Sequence, residues 1–259
     1  MPLPSRKFRI AFLLAVLFFV AADTWLTQIR TTDWTTPLWL VIYPVNGDNS
    51  ETTEKYIAQL EASDFSSIEA FISEEAERYG VQLKKPVEVK LAPKVDEQPP
   101  AIPVGGNGLE VMWWSLKLRL WSKTHDTYDG PGDLKLFVQY YDSETNERLG
   151  HSTGLQKGRV GIVNAFAHRR YQRQNNVVIT HELLHLFGAS DKYDLATNLP
   201  HYPDGYAEPE RQPLYPQRWA ELMGGRIPIS ESEAEIPASL RKTLIGEITA
   251  KEINWIAEQ

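Results

Sequence analysis

The stretch that decides the interpretation of this chain is HELLHLFGASD, from His181 to Asp191. In a helix, residues four apart lie on one face, so His181 and His185 are expected to point the same way. Two neutral imidazole nitrogens at that separation can both bind Zn²⁺ at about 2.0–2.1 Å. Glu182 lies between them and can reach a metal-bound water. This spacing therefore predicts a zinc site with Glu182 as a general base.

The residues after the two histidines extend the prediction. Gly188 tolerates a positive φ, which lets a helix end and the chain reverse towards the metal. Asp191 is then placed to be the third zinc ligand, and two histidines with one carboxylate leave a coordination position open, as catalytic sites require. Other third ligands remain possible: Asp194, His201, Glu208, Glu210 and Glu221. The alternative without a metal is a buried helix whose histidines only form hydrogen bonds.

The motif resembles the metzincin zinc-peptidase signature HExxHxxGxxH, with Asp in place of the third His, as in snapalysin-like enzymes. Those families also carry a Met-turn beneath the metal, which Glu221-Leu222-Met223-Gly224-Gly225 matches. The resemblance covers about residues 177–225. It implies zinc held by His181, His185 and Asp191 above Met223. The run from His181 through DKYD and PDGYAEPERQPLYPQ also resembles bacterial membrane-anchored proteins assigned as peptidases, without a known substrate.

Composition excludes several kinds of site. The 259 residues are 42% hydrophobic, which is ample for a core, and carry a formal net charge of −7. That acidic balance argues against nucleic acid as a partner. The absence of Cys rules out disulfides, zinc-thiolate sites and cysteine nucleophiles.

The N-terminus suggests a membrane or secretory segment. Arg6, Lys7 and Arg9 precede an apolar run over 10–22, which predicts a signal anchor or signal peptide over residues 1–26. Residues 27–37 are expected to be a tether, and 38–259 the metzincin-like catalytic domain. Uncleaved, the chain would be a single-pass inner-membrane protein with this domain on the periplasmic side. Cleavage after Ala22 would instead release a secreted protein.

Hydrophobic patterns predict the other elements. Strands are expected at Leu38–Pro44, Val87–Leu91, Leu134–Tyr141 and Val160–Phe166. Helices are expected at Thr53–Tyr79 and Leu240–Ile256. The pattern of Leu109–Trp121 fits either a strand or a helix, and Ala92–Gly108 is expected to be a loop. Asn175 or Asn176 is a plausible N-cap for the motif helix. That helix is apolar almost all round, which predicts burial, so its histidines and Glu182 need partners such as a metal.

These inferences predict an α+β fold: a mixed sheet with a long helix, a buried active-site helix and a small irregular C-terminal part. The predicted function is a zinc-dependent peptidase acting on peptides or proteins. Two alternatives stay open: a membrane-tethered zinc-stabilised binding protein, and a gluzincin-like peptidase with Glu208, Glu210 or Glu221 as third ligand. No Tyr follows Met223, so Tyr193 and Tyr206 are the candidates for oxyanion stabilisation. The segment 192–220, with Lys192, is a candidate substrate cleft.

Overall fold

The central element of the computed structural model is a five-stranded mixed sheet. The structure describes residues 33–103 and 107–256. The strands are β1 (Leu38–Asn46), β2 (Val87–Leu91), β3 (Leu134–Tyr141), β4 (Thr153–Leu155) and β5 (Val160–Phe166). Their order is β2-β1-β3-β5-β4, and all pairs are parallel except the edge strand β4, which runs antiparallel to β5. The mixed sheet predicted from the sequence is confirmed.

Helices cover both faces of this sheet. They are α1 (Glu51–Ile57), α2 (Ser66–Arg78), α3 (Gly108–Thr124) and α4 (Gln172–Phe187). Side chains of β1 alternate between two cores, as strand geometry requires. Leu40 and Ile42 pack in the core formed with α1, α2 and α4, whereas Val41 and Tyr43 face the core that α3 covers.

The ambiguous segment Leu109–Trp121 is helical and forms most of α3. The Asn107 side chain accepts hydrogen bonds from the backbone of Leu109 and Glu110, and the Glu110 carboxylate accepts one from the Asn107 backbone. This reciprocal capping box satisfies backbone donors at the helix start. The side chains of Trp114 and Leu118 are buried against the sheet.

The C-terminal part is small and built from short elements. Two-residue strands pair as β6 (Ala220–Glu221) with β9 (Thr243–Leu244), and β7 (Ile227–Pro228) with β8 (Ala234–Glu235). The last helix, α5, covers only Glu247–Glu252, so the helix predicted over Leu240–Ile256 is too long. The first residues of the predicted helix instead form a 3-10 turn and strand β9, because Thr243 and Leu244 pair with β6.

Two further helix predictions are wrong. The helix predicted over Thr53–Tyr79 is divided between α1 and α2, because Asp64 caps the backbone of Glu61 and starts a new 3-10 turn at Ala62–Phe65. Helix α4 begins at Gln172, so neither Asn175 nor Asn176 is its N-cap. Their amides instead hydrogen-bond Phe166 and Asp64, and tie α4 to neighbouring elements.

The membrane expectation needs correction. In the ranges 33–103 and 107–256, no helix has the length and apolar character needed to cross a bilayer. The single-pass inner-membrane placement is therefore wrong for the part of the chain that is described, and the predicted segment 1–26 lies outside it. The expected tether over 27–37 is described only from Asp33. There Trp34 is buried, and its indole N–H donates to Ile253 O at 2.7 Å.

Candidate metal centre

Helix α4 places His181 and His185 on one face, close to where the helix ends. Gly188 adopts φ 107°, a left-handed conformation that favours glycine. The backbone N–H groups of Gly188 and Ala189 donate to His185 O and Leu184 O, which closes the helix and reverses the chain. The predicted glycine turn is present, and it carries the chain back towards the two imidazoles.

Asp191 meets both histidines after this turn. Its Oδ1 lies 3.0 Å from His181 Nε2 and 3.1 Å from His185 Nε2. Ligands of a tetrahedral zinc ion at about 2.0–2.1 Å lie roughly 3.3 Å apart. Both distances from the Asp191 oxygen are therefore slightly shorter than, and within about 0.3 Å of, the separation expected between two ligands of one zinc ion.

Backbone carbonyls fix which nitrogen of each imidazole faces Asp191. His181 Nδ1 lies 2.9 Å from Leu222 O, and His185 Nδ1 lies 2.8 Å from Ala189 O. A carbonyl only accepts, so each Nδ1 carries the hydrogen and donates. In a neutral ring this leaves a lone pair on Nε2. Two imidazole lone pairs and a carboxylate oxygen thus converge, and such a set of acceptors fits a cation.

The pKa values of His181 and Asp191 also indicate that the cluster stabilises positive charge. Burial alone would lower the pKa of His181, but the hydrogen bond to Asp191 and the charge of Glu182 outweigh it and raise this pKa to about 9. Burial opposes ionisation of Asp191, yet contacts with His181 and His185 hold its pKa well below the usual range. Without a metal, the cluster therefore holds a proton where a cation would lie.

Glu182 is buried beside the two histidines. One potential metal-ligand atom from each of His181, Glu182 and His185 lies within 4.8 Å of the other two. Glu182 Oε2 is buried and has no hydrogen-bond partner among the described residues. Burial raises the pKa of this carboxyl, against the charges of the histidines and the backbone N–H of Gly154. An unpartnered carboxylate oxygen is costly unless it serves a bound water or metal.

The predicted Met-turn forms a tight turn below His181. Leu222–Gly224 is a 3-10 turn that ends at Gly225 with φ 72°, and the Leu222 carbonyl is the acceptor for His181. Met223 is fully buried, and its carbonyl accepts from the Lys192 backbone at 2.9 Å. The turn therefore contacts both helix α4 and the loop that carries Asp191.

The rival third ligands are engaged elsewhere or exposed. Asp194 accepts from the backbone of Ala196 and Thr197 in its own turn, and Glu208 pairs with Arg218. Glu221 accepts from Gly224 N, Gly246 N and Thr249 Oγ1. His201 and Glu210 are exposed. Only Asp191 among these candidates contacts the histidines.

A cleft of about 770 Å³ opens beside the cluster. His181, Glu182 and Tyr193 line it together with the Met-turn and residues 147–152. Burial and the nearby Asp191 and Glu182 carboxylates raise the pKa of the Tyr193 phenol, so it stays a hydrogen-bond donor at neutral pH. The Tyr206 hydroxyl instead contacts Tyr215 at 2.8 Å.

Several residues of the centre carry no signal in the sequence. Gly154 of β4 lies so close to α4 that a Cβ there would meet Glu182 O at 2.5 Å. The Glu252 carboxylate of α5 accepts hydrogen bonds from Ser190 and Lys192, the residues on either side of Asp191. The carbonyl acceptors Leu222 and Ala189 act through the backbone, which residue type does not reveal. Glu252 lies 60 residues from Lys192, so no local spacing could have indicated it.

No protein-family model and no curated protein matches this chain.

Proposed function

We propose that this protein is a zinc-dependent peptidase of the metzincin type. One observation carries the proposal: the Nε2 atoms of His181 and His185, each fixed by a backbone carbonyl on Nδ1, converge on the Asp191 carboxylate. Once His181 has lost its proton, the arrangement would provide two neutral nitrogen ligands and one oxygen ligand. It would leave a fourth tetrahedral position open, as in catalytic zinc sites.

The fold supports this proposal. The structure has features that the metzincin resemblance implies: a mixed sheet, a buried helix that ends at a glycine and a tight turn at Met223. Asp191 supports the HExxHxxGxxD variant over the gluzincin alternative, because the oxygens of Glu208 and Glu221 bind other groups.

His181, His185 and Asp191 would hold the zinc ion, which would supply an acidified water and polarise the scissile carbonyl. Glu182 accepts the water proton at its unpartnered Oε2 and passes it to the leaving amine. Burial favours both halves of this task, because a carboxyl with a raised pKa retains the proton long enough to deliver it. The Tyr193 hydroxyl donates to the developing oxyanion from the wall of the cleft.

The edge strand provides a way to hold a peptide. Strand β4 pairs only with β5 in the described sheet, so its other edge can pair with an added extended chain. Gly154 brings this strand against the backbone of Glu182 and the Cβ of His185. A peptide paired with β4 would therefore pass directly over the candidate ligands.

The direct test is metal analysis of the purified full-length protein together with a cleavage screen on an unbiased peptide library. We expect about one zinc per chain and internal cleavage that a chelator abolishes and added zinc restores. Bound zinc with no cleavage of any peptide would contradict the peptidase proposal and favour the zinc-stabilised binding protein. A protein that takes up no zinc would contradict both.

A further inference from the structure

Helix α3 is apolar on two opposite sides. Trp114 and Leu118 are buried on the sheet, as described above. The opposite side carries an apolar stripe of five large residues at helical spacing, which are between 46% and 68% exposed: Leu109, Met112, Trp113, Leu116 and Leu120. A continuous exposed stripe of this kind marks a binding surface, whereas single exposed apolar residues do not.

One edge of the stripe borders a second groove, of about 460 Å³, which we call the α3 groove. One wall is formed by residues of α3: Gly108, Val111, Met112, Ser115 and Arg119. The facing wall is formed by residues 154–157, which begin in β4, and the floor by the end of α4, including His185 and Gly188. The groove therefore begins at a candidate zinc ligand and ends beneath the exposed apolar side of α3.

The α3 groove and the larger cleft lie at opposite ends of the same strand. Residues 147–152 and His181 line the cleft, whereas residues 154–157 and His185 line the groove. Thr153 stands between them. An extended peptide on the free edge of β4 would therefore place one side of its scissile bond in the cleft and the other side in the α3 groove.

We propose that the α3 groove is a substrate subsite, and that the substrates are polypeptide segments bound in extended form with large apolar side chains on one side of the scissile bond. Val111 and Met112 line the subsite, and the apolar stripe extends it to further apolar residues of the substrate. This inference rests on the proposed peptidase function. A peptide is the occupant that fits, because the groove runs along a free strand edge and opens on His185.

The test compares the wild type with the double variant Val111→Ser/Met112→Ser. Both side chains are more than 40% exposed, so their loss should leave the fold intact. Ile248→Ser, an equally exposed apolar position on α5, is the matched control. From the library profile, paired peptides are made that carry either Leu or Ala at the position with the strongest apolar preference.

We expect the wild type to cleave the Leu peptide at least about tenfold more efficiently than the Ala peptide, since burying such a side chain discriminates by one to two orders of magnitude. The double variant should lose most of this preference, mainly through KM, while Ile248→Ser retains it. Zinc content should be equal in all three proteins.

A second measurement is independent of turnover. In the full-length Glu182→Gln background, fluorescence anisotropy of the labelled Leu peptide should show binding about tenfold weaker when Val111 and Met112 are replaced. Unchanged preference and unchanged binding in the double variant would overturn the subsite while leaving the peptidase intact. So would vesicle binding or self-association that depends on Trp113 and Leu116 without any effect on cleavage. Absence of all cleavage by the wild type would instead refute the proposed function, and this inference with it.

Discussion

Lys192 Nζ lies 2.7 Å from Glu252 Oε2, and this ion pair joins the loop that carries Asp191 to helix α5. Lys192 is nearly fully buried, and its ammonium also donates to Ser190 O at 3.0 Å. Glu252 accepts from the backbone N–H of Ser190 as well, at 3.1 Å. One carboxylate thus holds the residues on both sides of Asp191, and so positions the candidate ligand between them.

Glu252→Ala should weaken zinc binding by about tenfold, because the Asp191 loop would lose its anchor and outer contacts of this kind typically contribute tenfold or more to metal affinity. A competing chelator dye measures the dissociation constant. Glu247→Ala, on the same helix but in the exposed Lys251 pair, is the control and should change nothing. Equal affinity in both variants would show that Glu252 does not position the ligand.

Asp191→Ala should reduce zinc affinity far more, by about 100-fold or greater, because it removes a carboxylate oxygen that, unlike the other carboxylates in the described part of the chain, lies within 3.1 Å of both imidazoles. Asp194→Ala is the matched control, since Asp194 only caps its own exposed turn. Zinc content after dialysis against a weak chelator distinguishes them. If the two variants retain zinc equally, another residue provides the third ligand.

Glu182→Gln should retain zinc and lose at least about 100-fold in kcat, the usual contribution of a general base. The amide has nearly the shape of the carboxylate but cannot accept the water proton. Metal analysis and hydrolysis of a library-derived peptide provide the two readouts. Near-normal hydrolysis by this variant would exclude Glu182 as the base.

Zinc binding should release about one proton at pH 7.5. His181, with a pKa of about 9 in the metal-free protein, carries a proton at that pH and must lose it to bind a metal. The release should therefore fall as the pH rises through about 9. Titration calorimetry in buffers of different ionisation enthalpy measures it. Zinc binding without proton release at pH 7.5 would show that His181 is already neutral in the metal-free protein.

Glu221→Ala should lower the free energy of unfolding by about 3 kcal/mol, at roughly 1 kcal/mol or more for each donor left without its acceptor. Its carboxylate accepts from Gly224 N at 2.7 Å, Gly246 N at 3.0 Å and Thr249 Oγ1 at 2.7 Å, and so joins the Met-turn to the C-terminal helix. Urea denaturation provides the value. Glu210→Ala, at an exposed position, is the control, and equal stability of the two variants would contradict this role.

The sequence by itself determined the features that depend on local spacing. Apolar runs predicted four of the five strands of the sheet, and the interval of four residues put His181 and His185 on one face of a helix. Gly188 marked the end of that helix, where a positive φ is required. These signals work because periodicity and backbone conformation are properties of neighbouring residues.

Tertiary structure decided the contacts between distant segments. The carbonyl that fixes the His181 ring lies 41 residues away, and the carboxylate that holds the Asp191 loop lies 60 residues from Lys192. Helix α3 was ambiguous because its outward side is as apolar as its buried side, so the sequence showed no polar face. Packing of Trp114 and Leu118 against the sheet selects which side is buried, and only the assembled fold contains that information.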